Sequence, residues 1–211
     1  MRAVIFANGE ISDTSLVKRL ISADDFIAAA DGGFHFSREL NLSTSLVVGD
    51  LDSIRTEALE YIKSNRIEVL RFPPEKDQTD LELALLELST RGYDQILVVG
   101  ALGGRIDQTL ANIGLITFFA QRGIEVELDD GREHLVLIKE HCRISGKQGD
   151  TVSLLALCAP VRGVTTIGMV YPLENEDLLP YQTRGISNEM TGTVADIRIT
   201  TGNLLCIHTR G

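Results

Sequence analysis

VLRFPPEKDQTDLELALLELSTRG, from Val69 to Gly92, contains one complete structural unit. Val69–Phe72 is a short apolar run of the kind a buried strand shows. Leu81, Ala84, Leu85 and Leu88 then recur at the i, i+3, i+4, i+7 spacing of one helix face. Thr79 and Glu82 have the Thr-x-x-Glu spacing of a capping box, and Gly92 is a helix stop. Between strand and helix lies Pro73-Pro74-Glu75-Lys76-Asp77-Gln78-Thr79-Asp80, a loop rich in charge. Strand, charged loop and helix make up half of a βαβ repeat.

The same alternation extends outward on both sides. Apolar runs stand at Ala3–Ala7, Phe26–Ala30, Leu46–Val48, Ile96–Val99 and Val126–Leu128. They are short and continuous, as strands buried on both faces should be. Helical patterns fill the gaps. One starts at Ser53 and carries Ile54, Ala58 and Ile62; another starts near Asp107 and carries Leu110, Ile113 and Phe118 before Gly123. Residues 1–131 therefore read as an α/β domain, a mostly parallel sheet with helices on both faces. Beyond Gly131 helical periodicity fades. Leu135–Lys139, Thr151–Leu157, Gly163–Val170, Thr193–Thr200 and Leu204–Thr209 are β-like, punctuated by Gly, Asn and Thr. Residues 132–211 are expected to form a smaller all-β domain, a sandwich or open barrel.

Composition narrows the partners. A net charge of −10 makes the chain a poor non-specific ligand for nucleic acid or anionic lipid. No apolar stretch approaches the roughly 18 residues of a membrane span, and the N-terminal run is too short for a signal peptide. Cys142, Cys158 and Cys206 are few and far apart, which fits free thiols in the cytoplasm.

The acids fall where an open α/β sheet binds ligands, beyond the carboxyl ends of its strands. Phe26–Ala30 runs into Asp31-Gly32-Gly33, and Leu46–Val48 into Gly49-Asp50-Leu51-Asp52-Ser53. Val69–Phe72 runs into the Lys76–Asp80 loop, and Ile96–Val99 into Gly100-Ala101-Leu102-Gly103-Gly104-Arg105-Ile106-Asp107. Parallel strands bring all four loops to one edge. Asp50 and Asp52 can supply two carboxylates to Mg²⁺, which takes one or two such ligands plus phosphate and water. Asp52 or Ser53 could equally cap the next helix, and Thr79 and Asp80 are adequate as cap and first-turn residues. Capping leaves Lys76 and Asp77 unexplained. Gly103 and Gly104 permit close approach to a phosphate and Arg105 can hold two of its oxygens, although strand-ending glycines are common. His35, His134, His141 and His208 have no metal-ligand spacing.

Read together, Asp31-Gly-Gly, Gly49-Asp-Leu-Asp-Ser53, Lys76-Asp-Gln-Thr-Asp-Leu-Glu82 and Gly103-Gly-Arg-Ile-Asp107 resemble the thiamine pyrophosphokinase family. Thr165–Leu173 and Gly185–Glu189 look like that family's thiamine-side segments. Gln108 stands where many bacterial members have His. The resemblance implies an α/β catalytic domain binding ATP and Mg²⁺, followed by a β-sandwich binding thiamine. It also implies a homodimer with active sites between subunits. The implied reaction moves a pyrophosphoryl unit from ATP to the thiamine hydroxyl and releases AMP. On that basis Asp50, Asp52 and Asp77 are expected at the metal, and Lys76 and Arg105 at the transferring group. Asp31, Thr79, Asp80, Gly103, Gly104, Asp107 and Gln108 are expected on the nucleotide side, and Tyr171, Ser187 and Asn188 on thiamine. The rival expectations are a Mg²⁺-dependent phosphohydrolase, a diphosphokinase for another small molecule, and a nucleotide sensor without turnover.

Overall fold

A computed structural model describes residues 1–52, 54–73 and 75–211; the helix start expected at Ser53 and the loop position Pro74 lie outside the described residues. The chain divides into two compact units, Met1–Gly131 and Arg132–Gly211.

The first unit alternates strand and helix in chain order: β1 Arg2–Phe6, α1 Thr14–Leu20, β2 Phe26–Ala30, α2 Phe34–Glu39, β3 Leu46–Gly49, α3 Thr56–Ser64, β4 Glu68–Arg71, α4 Asp80–Thr90, β5 Gln95–Val99, α5 Ile106–Ala120 and β6 Glu125–Asp129. The strands are parallel, in the order β6-β5-β1-β2-β3-β4. Both sheet faces are covered. Val4, Phe6, Ile27, Ala29, Val47, Leu97 and Val99 join Val17, Phe34 and Ile62 of α1, α2 and α3 in one core. The alternate residues Ile5, Ala28, Val48 and Val98 are equally buried, and α4 packs along β1, β2 and β3 with Leu81, Ala84, Leu85 and Leu88 inward. Truncating a side chain such as Leu85 would cost about 2–5 kcal/mol. Thr79 Oγ1 caps α4 by accepting from the Glu82 amide at 3.2 Å.

α5 corrects the sequence expectation. Its buried residues are Ile116, Phe119 and Ala120, not Leu110, Ile113 and Phe118. Ile106 and Leu110 are 77% and 63% exposed. The helix is apolar nearly all round, so periodicity alone does not choose the face that meets the sheet.

After β2 the chain makes a short 3-10 turn, Asp31–Gly33, before α2. A Cβ on Gly33 would lie 2.1 Å from the Phe6 carbonyl oxygen, so the end of β1 and this turn meet main chain to main chain.

The second unit is all β: β7 Glu133–Ile138, β8 His141–Ser145, β9 Thr151–Ala156, β10 Val161–Ile167, β11 Glu176–Leu178, β12 Asn188–Glu189, β13 Val194–Arg198 and β14 Leu204–Thr209. Its strands run antiparallel in two layers, β12-β9-β14-β7 and β11-β10-β13-β8. Val152, Leu154, Leu204 and Cys206 of one layer share a core with Ile144, Val164, Ala195 and Ile197 of the other. Buried residues alternate with half-buried ones along β9 and with half-buried or exposed ones along β13, as a sandwich requires. The carboxyl end is pinned inside this unit. Asp150 accepts from the Gly211 amide at 3.0 Å, the Lys147 amide at 2.9 Å and His208 Nε2 at 2.9 Å.

Among the described residues no helix is long and apolar enough to cross a membrane.

Candidate functional site

Two turns at the carboxyl ends of β2 and β3 hold non-glycine residues in the left-handed region, Asp31 at φ 44° and Leu51 at φ 68°. Such conformations cost of order 1–3 kcal/mol each and persist where the surroundings enforce them. Leu51 is buried, which turns the flanking Asp50 and Asp52 toward the sheet edge. The Asp52 amide donates to Asp50 Oδ1 at 3.1 Å, closing the turn. Gly49, at φ 145°, has no side chain where Asp31 and Asp80 converge; a Cβ there would lie 3.1 Å from both.

The result is a carboxylate cluster. One oxygen from each of Asp31, Asp50 and Asp52 lies within 4.8 Å of the others, a spacing that a single cation could draw together. Asp31 Oδ1 is buried and accepts no hydrogen bond. A buried carboxylate oxygen left without a donor is costly unless a cation meets it. Asp77 is exposed and stands outside this cluster.

The cluster opens into a cleft of about 860 Å³. Asp31, Asp50, Lys76, Thr79, Asp80, Gly103, Arg105, Asp107 and Gln108 all line it, so four separate loops meet as the strand-end pattern requires. Asp52, Asp77 and Gly104 do not line it. Lys76 Nζ lies 2.8 Å from Asp80 Oδ1 and 3.9 Å from Asp50 Oδ2. Asp80 Oδ1 accepts no well-directed hydrogen bond, so this contact is mainly ionic. The neighbouring Asp80 holds the Lys76 ammonium above its ordinary range, with Asp50 and Asp31 adding to the effect. Burial pushes the Asp80 carboxyl upward, and Lys76 only partly offsets this. Arg105 Nε donates to Asp107 Oδ1 at 3.1 Å at the start of α5, and this contact lowers the Asp107 carboxyl below its usual range. Both side chains are exposed, so the pair can open toward a ligand at little cost.

The sequence reading missed Asn8 and Asn112 in the lining. Asn112 Nδ2 donates to the Ala101 carbonyl at 2.8 Å and supports the floor. Asn8 lies two residues past the end of β1, so the strand-end rule applied to that first strand would have found it.

In the second unit Tyr171 is 64% exposed and so is no core aromatic. Ser187 is exposed at φ 56°, and its amide donates to Ser153 Oγ at 3.0 Å. Asn188 is buried, and its amide is used internally: Nδ2 donates to the Tyr171 carbonyl and Oδ1 accepts from the Tyr171 amide.

Comparison with known proteins adds the following. The family description "Thiamin pyrophosphokinase, catalytic domain" matches residues 17–128, and "Thiamin pyrophosphokinase, vitamin B1 binding domain" matches residues 134–206. The chain is 29% identical over 161 residues to thiamine pyrophosphokinase of Bacillus subtilis strain 168, covering 75% of each. It is 30% identical over 143 residues to thiamine pyrophosphokinase 1 of Oryza sativa subsp. japonica, covering 63% of this chain and 54% of that protein. The solved structure of the Bacillus subtilis thiamine pyrophosphokinase superposes with a TM-score of 0.90 at 24% identity over all of both chains. A thiamin pyrophosphokinase family protein from Enterococcus faecalis superposes at 0.84 and 26% identity, again over all of both chains.

Proposed function

The chain belongs to the thiamine pyrophosphokinase family, and from that premise we propose that it transfers the terminal pyrophosphoryl unit of ATP to the hydroxyl of thiamine. One observation carries the reading. Asp31, with its orphaned oxygen, and Asp50 share a single cleft with Lys76 and Arg105, and Asp52 stands within reach of both carboxylates. Phosphoryl chemistry needs little else from a protein than positioning and charge stabilisation.

In this reaction a bond forms from the thiamine oxygen to the β-phosphorus. The bond from that phosphorus to the oxygen bridging to the α-phosphate breaks, and AMP leaves with the electron pair. The hydroxyl proton passes to a carboxylate of the cleft. Lys76 leaves Asp80 for the pyrophosphoryl oxygens, and Arg105 opens from Asp107 to hold them in a fork. Thr79 and Asp80, at the start of α4, and Gln108, near the start of α5, orient the nucleotide. Gly103 lets the main chain approach it closely.

The donor set fits Mg²⁺: all oxygen, anionic, with Asp31 Oδ1 unmet. Asp31, Asp50 and Asp52 would hold the ion, and when bound it neutralises polyphosphate charge. Asp77, being exposed, is proposed at the mouth of the site.

Thiamine is assigned to the second unit. Tyr171 offers an exposed aromatic face to a flat cationic ligand, and Ser187 offers a hydroxyl. The exposed Ile106 and Leu110 of α5 support a homodimer, because apolar residues beside a charged cleft suit a protein contact. None of Cys142, Cys158 and Cys206 is in a disulfide, which supports a cytoplasmic setting.

The test is incubation with Mg-ATP, with and without thiamine, resolving AMP, ADP and thiamine diphosphate. Thiamine-dependent AMP in equal amount to thiamine diphosphate is expected. ADP would mean single phosphoryl transfer, and phosphate release without acceptor would mean hydrolysis; either overturns the proposal.

A further inference from the structure

On the outer face of the second unit's β11-β10-β13-β8 layer, one carboxylate has three cationic neighbours. β8 is the edge strand, and its register sets Arg143 directly opposite Asp196 of β13, and His141 directly opposite Arg198. The Ile199 amide donates to the Glu140 carbonyl at 2.9 Å, and the Gly146 amide to the Thr193 carbonyl at 3.0 Å. Counting in twos from these bonds puts the hydrogen-bonded pairs of the ladder on Cys142 and Ile144. The polar pairs therefore stand at the non-hydrogen-bonded positions, where opposing side chains come closest. The same alternation turns the main-chain amides of His141, Arg143 and Ser145 away from β13, outward from the edge of the layer.

Asp196 draws its three neighbours together by their inner nitrogens. His141 Nε2 lies 2.9 Å from Asp196 Oδ2, Arg143 Nε lies 3.7 Å from the same oxygen, and Arg198 Nε donates to Oδ1 at 3.3 Å. His141 foremost, and Arg198 after it, hold the Asp196 carboxyl below its usual range, so it stays ionised. Each guanidinium spends its Nε inward. Among the described residues the Nη groups of both arginines make no ion pair, and the two side chains are 68% and 67% exposed. The carboxylates of β11, by contrast, are matched one to one, Asp177 by Arg162 and Glu176 by Arg184. Two guanidinium groups against one carboxylate leave positive charge over, before His141 is counted, on a chain whose formal charge is −10.

Free Nη forks on either side of one buttressing carboxylate suit the oxygens of a small multivalent anion, which guanidinium groups bind by paired N–H bonds. We propose that this face of β8 and β13 is a binding site for a phosphate group, free or as the end of a small phosphate ester. Arg143 and Arg198 hold the phosphate oxygens with their Nη groups. The Arg143 amide, at the open edge, offers a further donor. Asp196 touches no ligand; it positions both arginines. Ile167 of β10, directly opposite Asp196 and exposed, borders the site with the apolar surface that the organic part of an ester would meet. The site shares no residue with the acidic cleft.

The test uses the full chain without divalent cations, so that no metal–phosphate complex enters the carboxylate cluster. Inorganic phosphate, pyrophosphate and phenyl phosphate are titrated in turn at physiological ionic strength, because low salt exaggerates surface electrostatics. Proton–nitrogen correlation spectra report which amides respond. Those of Arg143, Ser145 and Arg198 are expected to move together, with pyrophosphate bound more tightly than phosphate because its charge is higher. The double variant Arg143→Met, Arg198→Met is expected to lose affinity by about tenfold or more. Unchanged amide positions of the core residues Val164 and Leu204 show that this variant is folded. Lysine at both positions should recover part of the affinity, since charge remains but the fork is lost. Phenyl phosphate bound more tightly than phosphate would place its ring on Ile167 and assign the site to an ester; equal affinity would assign it to the free ion. No response of these amides to any of the three probes overturns the proposal, as does an equal response in the double methionine variant.

Discussion

Asn188 grips Tyr171 by both ends of its carboxamide, donating from Nδ2 to the Tyr171 carbonyl at 2.6 Å and accepting at Oδ1 from the Tyr171 amide at 3.0 Å. A buried side chain thus fixes the backbone of an exposed aromatic. If Tyr171 stacks on thiamine, Asn188 is a positioning residue. Asn188→Ala should raise KM for thiamine about tenfold, leave KM for ATP near its original value, and cost about 1–3 kcal/mol of stability. Tyr171→Ala should raise the same KM, and the double variant should be little worse than either alone. Additive effects in steady-state kinetics would separate the two residues.

Asp31 Oδ1 is buried without a hydrogen-bond partner inside the carboxylate cluster. Asp31→Asn keeps its shape and removes its charge. Turnover should fall by roughly 10²–10³-fold, with weaker Mn²⁺ binding and an unchanged circular dichroism spectrum. Chelation should abolish wild-type activity and added Mg²⁺ should restore it. Full activity in Asp31→Asn would remove this residue from the metal.

Leu110 presents an apolar side chain to solvent on a helix beside the cleft. Leu110→Arg should shift a dimer toward monomer in sedimentation equilibrium while the helical signal is preserved. An arginine buried at such an interface without a partner costs several kcal/mol. A dimer unaffected by the change would place the interface elsewhere.

The fourth expectation concerns pH. Burial lowers the His208 pKa below its usual 6.5, and Asp150 only partly offsets this; Arg210 and His134 also oppose the proton. Burial opposes ionisation of Asp150, but the Gly211 and Lys147 amides and His208 together outweigh it and hold that carboxyl below its ordinary range. In both cases the unfolded chain binds protons more readily than the folded one, so stability falls as pH falls. The loss from His208 begins near its unfolded value of about 6.5 and that from Asp150 near 3.8. Tm of wild type should therefore drop between pH 7 and pH 5. His208→Gln, a neutral donor, should flatten that part of the curve; an equal slope in both proteins would rule out this pair as the cause.

The parallel sheet was legible because Val47, Ile96 and their neighbours are buried on both faces and so appear as continuous apolar runs. α4 was legible because Leu81, Ala84, Leu85 and Leu88 keep one helical period between the Thr79–Glu82 cap and Gly92. α5 was legible as a helix but not in orientation, since Ile106 and Leu110 are as apolar as the residues it buries. Short pieces escaped notice: α2 has six residues and β12 two, too few for a period to register. In the site, strand-end acids pointed to loops that line one cleft. Which acids converge depends on turns: Asp31 joins Asp50 and Asp52 because its own backbone and that of Leu51 turn left-handed, and no residue type announces that. Asn188 offered hydrogen-bonding groups in the sequence, but the structure commits them to Tyr171.

The contact between Gly33 and the Phe6 carbonyl has an evolutionary consequence. Where main chain rests on main chain, no substitution can adjust the fit by small steps; every side chain is excluded at once. Descendants of this sequence can vary those loop positions around the cleft whose side chains meet neither ligand nor core. They inherit this strand junction unchanged, or they lose the turn that presents Asp31.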